Sequence, residues 1–455
     1  MKLPPLFNDR LFFRGLFTLA VPIMLQNLVN SMVNLLATIM VGRLGTVEIA
    51  AVGLGFQVFF LYQLFLFGII SGGSIFTAQF WGKGDIAGIR KNLGFCITLS
   101  SVWAVLFTLA AMFVPEKLIG FYSMDEAVIK AGADYLRILS FSFFPFALSF
   151  AFVLTLRSVE KVRLAFVTTV ITLFINVLLS YLFIFGKGSI PAMGIKGAAM
   201  ATVISRLFEA VIIITVSYAK KYVIAGSIRE FLSFNRNYAR HFFRISLPVI
   251  LNEIFWSTGV TMQSVIFART NTDAIAAFNI INTVSMITWV LFLGLGHGVG
   301  VMIGKKIGEG DEKTARDYAS RIARFVPLLA VGAALILFPL SRLLPFVFKV
   351  NSETLAVASQ MFIVLCCVYP FRAFNMAMII GICRAGGDTV FCVFYDLGTL
   401  WLIGLPLAAL AAFVMHAPVW LIYLCIITED PFKAILGIWR LKSGKWLHNV
   451  TFHSS

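Results

Sequence analysis

The stretch PIMLQNLVNSMVNLLATIMVGRLGTVEIAAVG, residues 22–53, decides the fold because a related stretch recurs in the second half of the chain. One ungapped shift of the sequence against itself aligns identical residues in the two copies: Pro22 with Pro248, Ser31 with Ser257, Arg43 with Arg269, and 49–51 with 275–277. The same shift aligns the loop that follows: Gly82 with Gly308, Gly84 with Gly310, Asp85 with Asp311, and Arg90 with Arg316. We expect 82–85 and its copy to form a tight turn between helices. The chain therefore consists of two copies of one unit.

The amino-acid composition indicates the class of protein to which the two repeated units belong. Apolar residues make up 60% of the chain and charged residues only 13%, with a mean hydropathy of +0.92. A soluble domain is about half apolar and a quarter charged. A helix needs about 20 apolar residues to cross the hydrocarbon core of a bilayer, and only helices supply runs of that length. We therefore predict an all-α integral membrane protein.

Charged loops, prolines and glycines divide the chain into twelve apolar runs, six in each half. The predicted spans in the first half are 14–40, 47–79, 92–114, 131–156, 162–185 and 195–219. Those in the second half are 241–268, 275–304, 319–341, 357–382, 389–413 and 418–439. Because each copy has an even number of spans, the second copy starts on the same side of the membrane as the first. This predicts two six-helix lobes related by a pseudo-two-fold axis along the membrane normal, with a cavity between them. We place the N-terminal lobe at 1–219, a basic cytoplasmic linker at 220–240, and the C-terminal lobe with its tail at 241–455.

The positive charges predict the orientation. If the chain starts inside the cell, most of its 37 lysines and arginines lie in segments on the cytoplasmic side of the membrane, as is usual for membrane proteins. Both termini are therefore expected in the cytoplasm, in a multi-pass protein of an inner or plasma membrane. The net charge of +16 is explained by this asymmetry, so no nucleic-acid partner is expected. The N-terminus lacks a small-residue cleavage site and is expected to remain uncleaved.

Other kinds of chemistry find no support in the sequence. The six cysteines form no CxxC pair, the five histidines are not spaced for a metal site on a helix, and there is no phosphate-binding GxxxxGK[ST] loop. We therefore expect no enzyme activity, no bound metal and no cofactor other than a coupling ion.

Several motifs together resemble one family, the multidrug and toxic compound extrusion (MATE) transporters. They are Pro22 and Gln26, the VGRLG block at 41–45, IAAVG at 49–53, GKGD at 82–85, GIKGAAMAT at 194–202, and GICRAGGDT at 381–389. The resemblance covers nearly the whole chain. It implies a twelve-helix, two-lobed antiporter, functional as a monomer, that exports organic cations and other amphipathic compounds by alternating access in exchange for sodium or protons. A flippase for a lipid-linked saccharide is the alternative, and it would favour an arginine-rich cavity, for which the chain offers chiefly Arg372 and Arg137.

Carboxylates within the membrane are the candidates for ion coupling, because a buried carboxylate can exchange a proton or cation for a substrate. Glu253 lies in the seventh span and is displaced by nearly one helical turn from the acid that the resemblance implies; its alternative role is structural pairing with a neighbouring helix. Asp396 lies deep in the eleventh span, and its alternative role is within a hydrogen-bonded polar cluster. Arg206 and Glu209 are expected to neutralise each other, and we do not count them as site residues.

The first half departs from the pattern that the resemblance implies. The resemblance implies an aspartate at two positions where this chain has Ala37 and Ser180. Without these two carboxylates, Asn176 and Thr202 offer only neutral oxygens, which cannot exchange a proton near neutral pH. We therefore expect any ion coupling to lie in the C-terminal lobe.

Uncharged polar residues within the spans predict a substrate cavity, although such residues also hold membrane helices together. Gln26, Asn30 and Asn34 recur every four residues along the first span and form a polar stripe. The remaining candidates for substrate binding are Asn176, Asn252, Trp256, Gln263, Asn282, Arg372 and Asn375. Methionines and 46 phenylalanines suit a large, adaptable apolar pocket.

Overall fold

The computed structural model describes residues 9–186, 191–340 and 350–451, and within these ranges all twelve predicted spans lie in helices. Spans 1 to 6 comprise Arg10–Gly42, Thr46–Lys83, Ile86–Phe113, Glu126–Ser140 with Phe143–Ser158, Val162–Phe185, and Gly194–Ala219. Spans 7 to 12 comprise Arg236–Thr270, Thr272–Gly308, Glu312–Leu340, Ser352–Cys383, Thr389–Val414, and Val419–Ile427 with Glu429–Ser443. The all-α prediction is confirmed. In the described part of the chain, two short helices, Pro115–Gly120 and Ile228–Phe231, lie outside the spans.

Length and hydropathy alone identify fewer spans than the helices do. In the described part of the chain, nine helices are long and apolar enough to cross a membrane, and span 4, bent by 52° at its break, is a tenth. Span 4 bends at Phe141 and Ser142, which separate its two helices. Spans 7 and 12 carry polar and charged side chains within their helices, such as Glu253 and Lys433.

The loop that repeats in the two halves folds the same way in each. Gly84 and Gly310 both adopt the left-handed conformation, with φ of 73° and 79°, which a residue with a Cβ adopts only with strain. The next residue, Asp85 or Asp311, accepts a hydrogen bond from a backbone N–H in the first turn of the following helix. The predicted tight turn is confirmed in both copies.

The described chain packs as two compact units. The N-terminal unit comprises residues 25–246, and the C-terminal unit comprises the chain from Leu247 onward together with the segment that ends at Met24. The unit boundaries therefore fall inside the helices of spans 1 and 7, close to the repeated prolines Pro22 and Pro248. The predicted lobe limits at 219 and 241 stay predictions.

The basic linker is ordered against span 3 of the N-terminal unit. Arg90 donates hydrogen bonds to Glu230, at 2.6 Å, and to the backbone oxygen of Val223, at 2.9 Å. Ser227 and Glu230 form a capping box at the start of the short linker helix. The backbone N–H of Ser227 and then Arg90 lower the pKa of the Glu230 carboxyl. The ion pair and the hydrogen bond to Val223 thus hold the linker against span 3, and the capping box stabilises the start of its short helix.

Spans 10 and 11 depart from regular α-helix. The segments Ala377–Cys383, Phe394–Gly398, Leu400–Gly404 and Leu410–Val414 are π-helical. Such segments are frequent at functional sites, because the wider turn shifts the directions of the side chains. Asp396 lies inside the second of them.

Candidate transport site

The N-terminal unit encloses a cavity of about 320 Å³. Side chains from spans 1, 2, 4, 5 and 6 line it, and most of them are apolar. The polar lining residues are Asn34, Thr38, Tyr135, Thr172, Asn176, Ser180, Thr202, Ser205, Arg206 and Glu209. A cavity of this size that combines apolar walls with convergent polar groups is typical of a small-molecule site.

Two of the predicted substrate-binding residues, Asn34 and Asn176, line this cavity. Asn176 lies 3.5 Å from the hydroxyl of Thr202, which also lines it. Ala37 and Ser180 are lining residues too, so the two positions where the resemblance implies carboxylates are neutral parts of the cavity wall.

Gln26 and Asn30 have different surroundings from Asn34. Gln26 is buried, donates to Thr169 at 2.6 Å and accepts from Arg157 at 2.5 Å. Asn30 is half-buried and is not among the lining residues. Of the predicted polar stripe, only Asn34 contributes to the cavity wall.

The charged residues of this cavity are a pair that sequence reasoning left out. Arg206 and Glu209 form the expected ion pair, with 2.8 Å between Nη1 and Oε2. Glu209 also accepts hydrogen bonds from Ser149 and Thr169. The spacing of three residues predicted the pair, but it did not predict that both residues would line a cavity. The signal available in the sequence was a carboxylate and a guanidinium in the middle of an apolar span.

In the C-terminal unit, Asp396 is the centre of a buried charge cluster. Its Oδ1 lies 2.9 Å from Nζ of Lys433, and its Oδ2 accepts a hydrogen bond of 3.0 Å from Asn252. Lys433 also lies 3.3 Å from Oε1 of Glu429, one turn earlier in span 12. All four side chains are buried. Asp396 and Asn252 were predicted from the sequence as site residues, whereas Lys433 and Glu429 were not.

A second group of polar side chains extends this cluster. Asn375 donates to the Asp430 carboxylate at 2.9 Å and accepts from Tyr395 at 2.6 Å. Arg372 lies close enough to Asp430 to interact with its charge, and its guanidinium stands 5.8 Å from the ring of Trp289. We call Asp396, Lys433, Glu429, Asp430 and Arg372 the C-terminal charge cluster.

The remaining predicted residues of the C-terminal unit lie apart from the charge cluster or beside it. Glu253 is paired with Arg384, at 2.7 Å, and both are largely buried. Trp256 stacks on Trp289, with ring centroids 5.7 Å apart. Gln263 and Asn282 are half-buried elsewhere in the unit. A small cavity of about 20 Å³ beside Arg372 has room for about one water molecule.

The MatE family matches this chain over residues 22–182 and 248–410, which begin at the two repeated prolines and together cover more than half of it. The chain belongs to the MATE family. The probable multidrug resistance protein YoeA of Bacillus subtilis is 25% identical over 401 residues, covering 87% of this chain and 86% of YoeA. A probable multidrug resistance protein NorM of Thermotoga maritima is 24% identical over 437 residues, covering 95% of this chain and 93% of NorM.

Solved structures of MATE proteins have the same fold. The outward-facing conformation of a multidrug resistance MATE family transporter superposes with a TM-score of 0.83 at 20% identity, covering 95% of this chain and 96% of that one. A transporter of the MOP superfamily from Pyrococcus furiosus, described as having reverse polarity of its binding pocket, superposes with a TM-score of 0.85 at 18% identity, covering 95% of this chain and 96% of that one. The predicted twelve-helix, two-lobed membrane fold is thereby confirmed. As a MATE protein, the chain is a multi-pass membrane transporter rather than an enzyme.

Proposed function

We propose that this protein is a multidrug exporter that binds small amphipathic compounds in the cavity of the N-terminal unit and expels them in exchange for protons. The observation that carries the proposal is the cavity of about 320 Å³, which a drug-sized molecule can enter. The cavity combines apolar walls with a few polar groups such as Asn34, Asn176 and Thr202. The names of the relatives, which are multidrug resistance proteins, support export as the direction.

The C-terminal charge cluster supports coupling to an ion. It contains three carboxylates, those of Asp396, Glu429 and Asp430, but only two cations, Lys433 and Arg372. One buried negative charge is therefore in excess, and a proton or a cation must compensate it because an uncompensated charge is costly inside a membrane protein. The nearby pairs of Glu253 with Arg384 and of Asp388 with Arg440 are each balanced.

The arrangement of ligands favours a proton over sodium. Both oxygens of Asp396 are occupied, one by Lys433 and one by Asn252. A sodium ion at Asp396 would have to displace the Lys433 ammonium group. In contrast, Oε2 of Glu429 is buried and has no hydrogen-bond partner among the described residues. It is the place where a proton can be added without breaking an existing contact.

Gain and loss of this proton would move Lys433 between two carboxylates. When Glu429 is charged, Lys433 is shared by Asp396 and Glu429, as in the structure. When Glu429 is protonated, its attraction for the ammonium group falls and Lys433 pairs with Asp396 alone. Glu429 and Lys433 lie on span 12, whereas Asp396 lies in a π-helical segment of span 11. The proton would therefore change the packing of two spans, and export requires such a change to open the cavity alternately to the two sides of the membrane.

Glu253 fits a structural role better than a coupling role. Its carboxylate is paired one to one with Arg384, so the pair is neutral and leaves no charge for an ion to compensate. We therefore assign the coupling to Asp396 and Glu429, and the stabilisation of span 7 to Glu253.

Efflux from cells tests the proposal. Cells that lack their own exporters and express the wild-type chain would be loaded with fluorescent amphipathic compounds, and efflux would be followed with sodium present or replaced by potassium, and with or without a protonophore. We expect export that is indifferent to sodium and collapses with the protonophore. Export that stops when sodium is removed would overturn the proton assignment, and no export of any compound would overturn the function and favour the flippase alternative.

A further inference from the structure

The cavity of the N-terminal unit contains two charged side chains among its lining residues, and they are unequally accessible. The side chain of Arg206 is 24% exposed, whereas that of Glu209 is 5% exposed. A ligand that enters the cavity therefore meets the guanidinium group before it meets the carboxylate.

Glu209 and Arg206 also differ in how many of their hydrogen-bonding groups are occupied by protein atoms. Both carboxylate oxygens of Glu209 are occupied, by Arg206 and Ser149 on one side and by Thr169 on the other. Arg206 donates one hydrogen bond to a protein atom in the described part of the chain, the bond to Glu209. The other nitrogens of Arg206 have no such bond, and none of them is among the buried side-chain atoms that lack a partner. These N–H groups are therefore not enclosed by protein. A guanidinium has five N–H donors, so Arg206 retains donors for a ligand.

The position of the Arg206 guanidinium is fixed. Its central carbon lies over the Phe146 ring, 4.7 Å from the ring centroid, which is within the range of a cation–π contact. The ion pair with Glu209 holds one of its edges. A guanidinium that is fixed by a ring and a carboxylate loses little further freedom when it binds a ligand.

A second guanidinium makes the surroundings positive. Glu209 accepts from Thr169, Thr169 accepts from Gln26, and Gln26 accepts from Arg157. Arg157 is buried, and its Nε has no hydrogen-bond partner among the described residues. This chain of hydrogen bonds therefore joins two guanidinium groups to one carboxylate, and its net charge is positive. A permanent cation in the cavity would be repelled, whereas an anionic group would be attracted.

We propose that Arg206 binds the acidic group of the transported compound, so that this exporter carries amphipathic organic acids or zwitterions in preference to purely cationic drugs. The inference rests on the proposed export through this cavity and specifies its substrate class. The carboxylate or sulfonate of the compound accepts hydrogen bonds from the free N–H groups of Arg206. The amides of Asn34 and Asn176 and the hydroxyl of Thr202 supply further donors in the same cavity.

Binding of three matched probes tests this inference. Dansylglycine carries a carboxylate, its amide is neutral, and a dansyl derivative with a trimethylammonium group is cationic, while the fluorophore is the same. The probes would be titrated, at neutral pH, onto the purified full-length protein in nanodiscs of uncharged lipid, with empty nanodiscs as the blank. We expect the acid to bind about tenfold more tightly than the amide, because a charge-assisted hydrogen bond to a fixed guanidinium is stronger than a neutral one. Equal binding of acid and amide, or tighter binding of the cation, would overturn the inference.

Variants identify Arg206 as the source of the preference. The double variant R206Q/E209Q removes both charges without leaving either partner unpaired, and Arg157 stays in place. We expect its preference for the acid to fall several-fold, because the donors of Arg206 are lost, while the amide binds as it does to the wild type. The double variant R137Q/E116Q removes an ion pair outside the cavity and should keep the wild-type preference. If R206Q/E209Q does not fold, Arg206→Lys keeps the charge but loses the planar donors, and the preference should fall several-fold. A preference that survives unchanged in whichever of these Arg206 variants folds would contradict the role of Arg206.

This experiment separates the inference from the proposed function. If cells export compounds of some kind but the purified protein shows no preference for the acid, export stands and the substrate class is wrong. If the protein prefers the acid but cells export nothing, Arg206 is an anion site and the proposed export function is wrong.

Discussion

The ammonium group of Lys433 lies 2.9 Å from the Asp396 carboxylate and 3.3 Å from that of Glu429, and all three side chains are buried. One cation between two carboxylates has two alternative partners, and the protonation of either carboxylate decides which one it keeps. This arrangement links the charge of a single side chain to the packing of spans 11 and 12. Proton-coupled export can therefore be tested by substitutions at these three residues.

Neutralising Asp396 should separate substrate binding from coupling. Asp396→Asn leaves Lys433 with Glu429 alone, so the cluster no longer needs a proton to balance its charge. We expect most of the proton-driven efflux to be lost, because the cluster no longer carries a charge for a proton to compensate, while substrate still binds in the cavity of the N-terminal unit. Efflux from cells and binding to purified protein would be measured on the same variant. Normal efflux by Asp396→Asn would remove this residue from the coupling site.

Breaking the pair of Glu253 and Arg384 should affect stability rather than coupling. Glu253→Gln leaves a buried guanidinium without its carboxylate, and we expect it to lower stability by about 3 kcal/mol. The double variant E253Q/R384Q removes both charges and should recover most of that stability together with proton-driven efflux. Thermal unfolding of the purified variants gives the first comparison and cell efflux the second. A double variant that is as stable as the wild type but cannot export would return Glu253 to the coupling site.

More of the fold than of the candidate site could be predicted from the sequence. The repeat of residues 22–53, the apolar runs and the turn at Gly84 and Gly310 depend on local sequence, so the twelve spans and the two copies of the turn were correct. The limits of individual spans shifted, as in span 4, which is bent between two helices.

The site was predicted only in part, because it depends on contacts between distant parts of the chain. Asn34 and Asn176, two of the predicted substrate-binding residues, line the cavity of the N-terminal unit, and their role there stays a prediction. Arg206 and Glu209 were set aside because an ion pair three residues apart suggests mutual neutralisation, whether or not it faces a cavity. Lys433 was overlooked because it lies near the end of the last span, where lysines usually reach the membrane surface. Its burial against Asp396 depends on the packing of spans 11 and 12, which no local pattern encodes.

Filling the cavity should block large substrates first. Ala37 lines the cavity, and Ala37→Trp would occupy part of its volume of about 320 Å³. We expect efflux of bulky dyes to be lost while that of the smallest exported compounds is retained. Leu35→Trp, on the same helix but at an exposed apolar position, is the matched control and should transport like the wild type. Equal transport by both variants would show that substrates do not pass through this cavity.

Docking of the linker should depend on pH through Glu230. The pKa of Glu230 is lowered in the folded protein, first by the Ser227 backbone N–H and then by Arg90. The stabilisation is therefore complete above the ordinary pKa of glutamate and is lost as the pH falls through the lowered value. Hydrogen exchange of the helix Ile228–Phe231, corrected for intrinsic rates, should accelerate in that acidic range. Glu230→Gln should remove this dependence and Glu126→Gln, an exposed glutamate elsewhere, should keep it; identical pH profiles for the two variants would contradict the prediction.

In the proposed mechanism, one proton held on Glu429, beside Lys433 and Asp396, drives export. The most direct test is substrate movement in proteoliposomes that contain purified protein and are energised only by a pH gradient, in buffers without sodium. Wild-type protein and the balanced variant E253Q/R384Q should both move substrate against its concentration gradient. Glu429→Gln should bind substrate but fail to move it uphill. Uphill transport by Glu429→Gln at the wild-type rate would contradict the account.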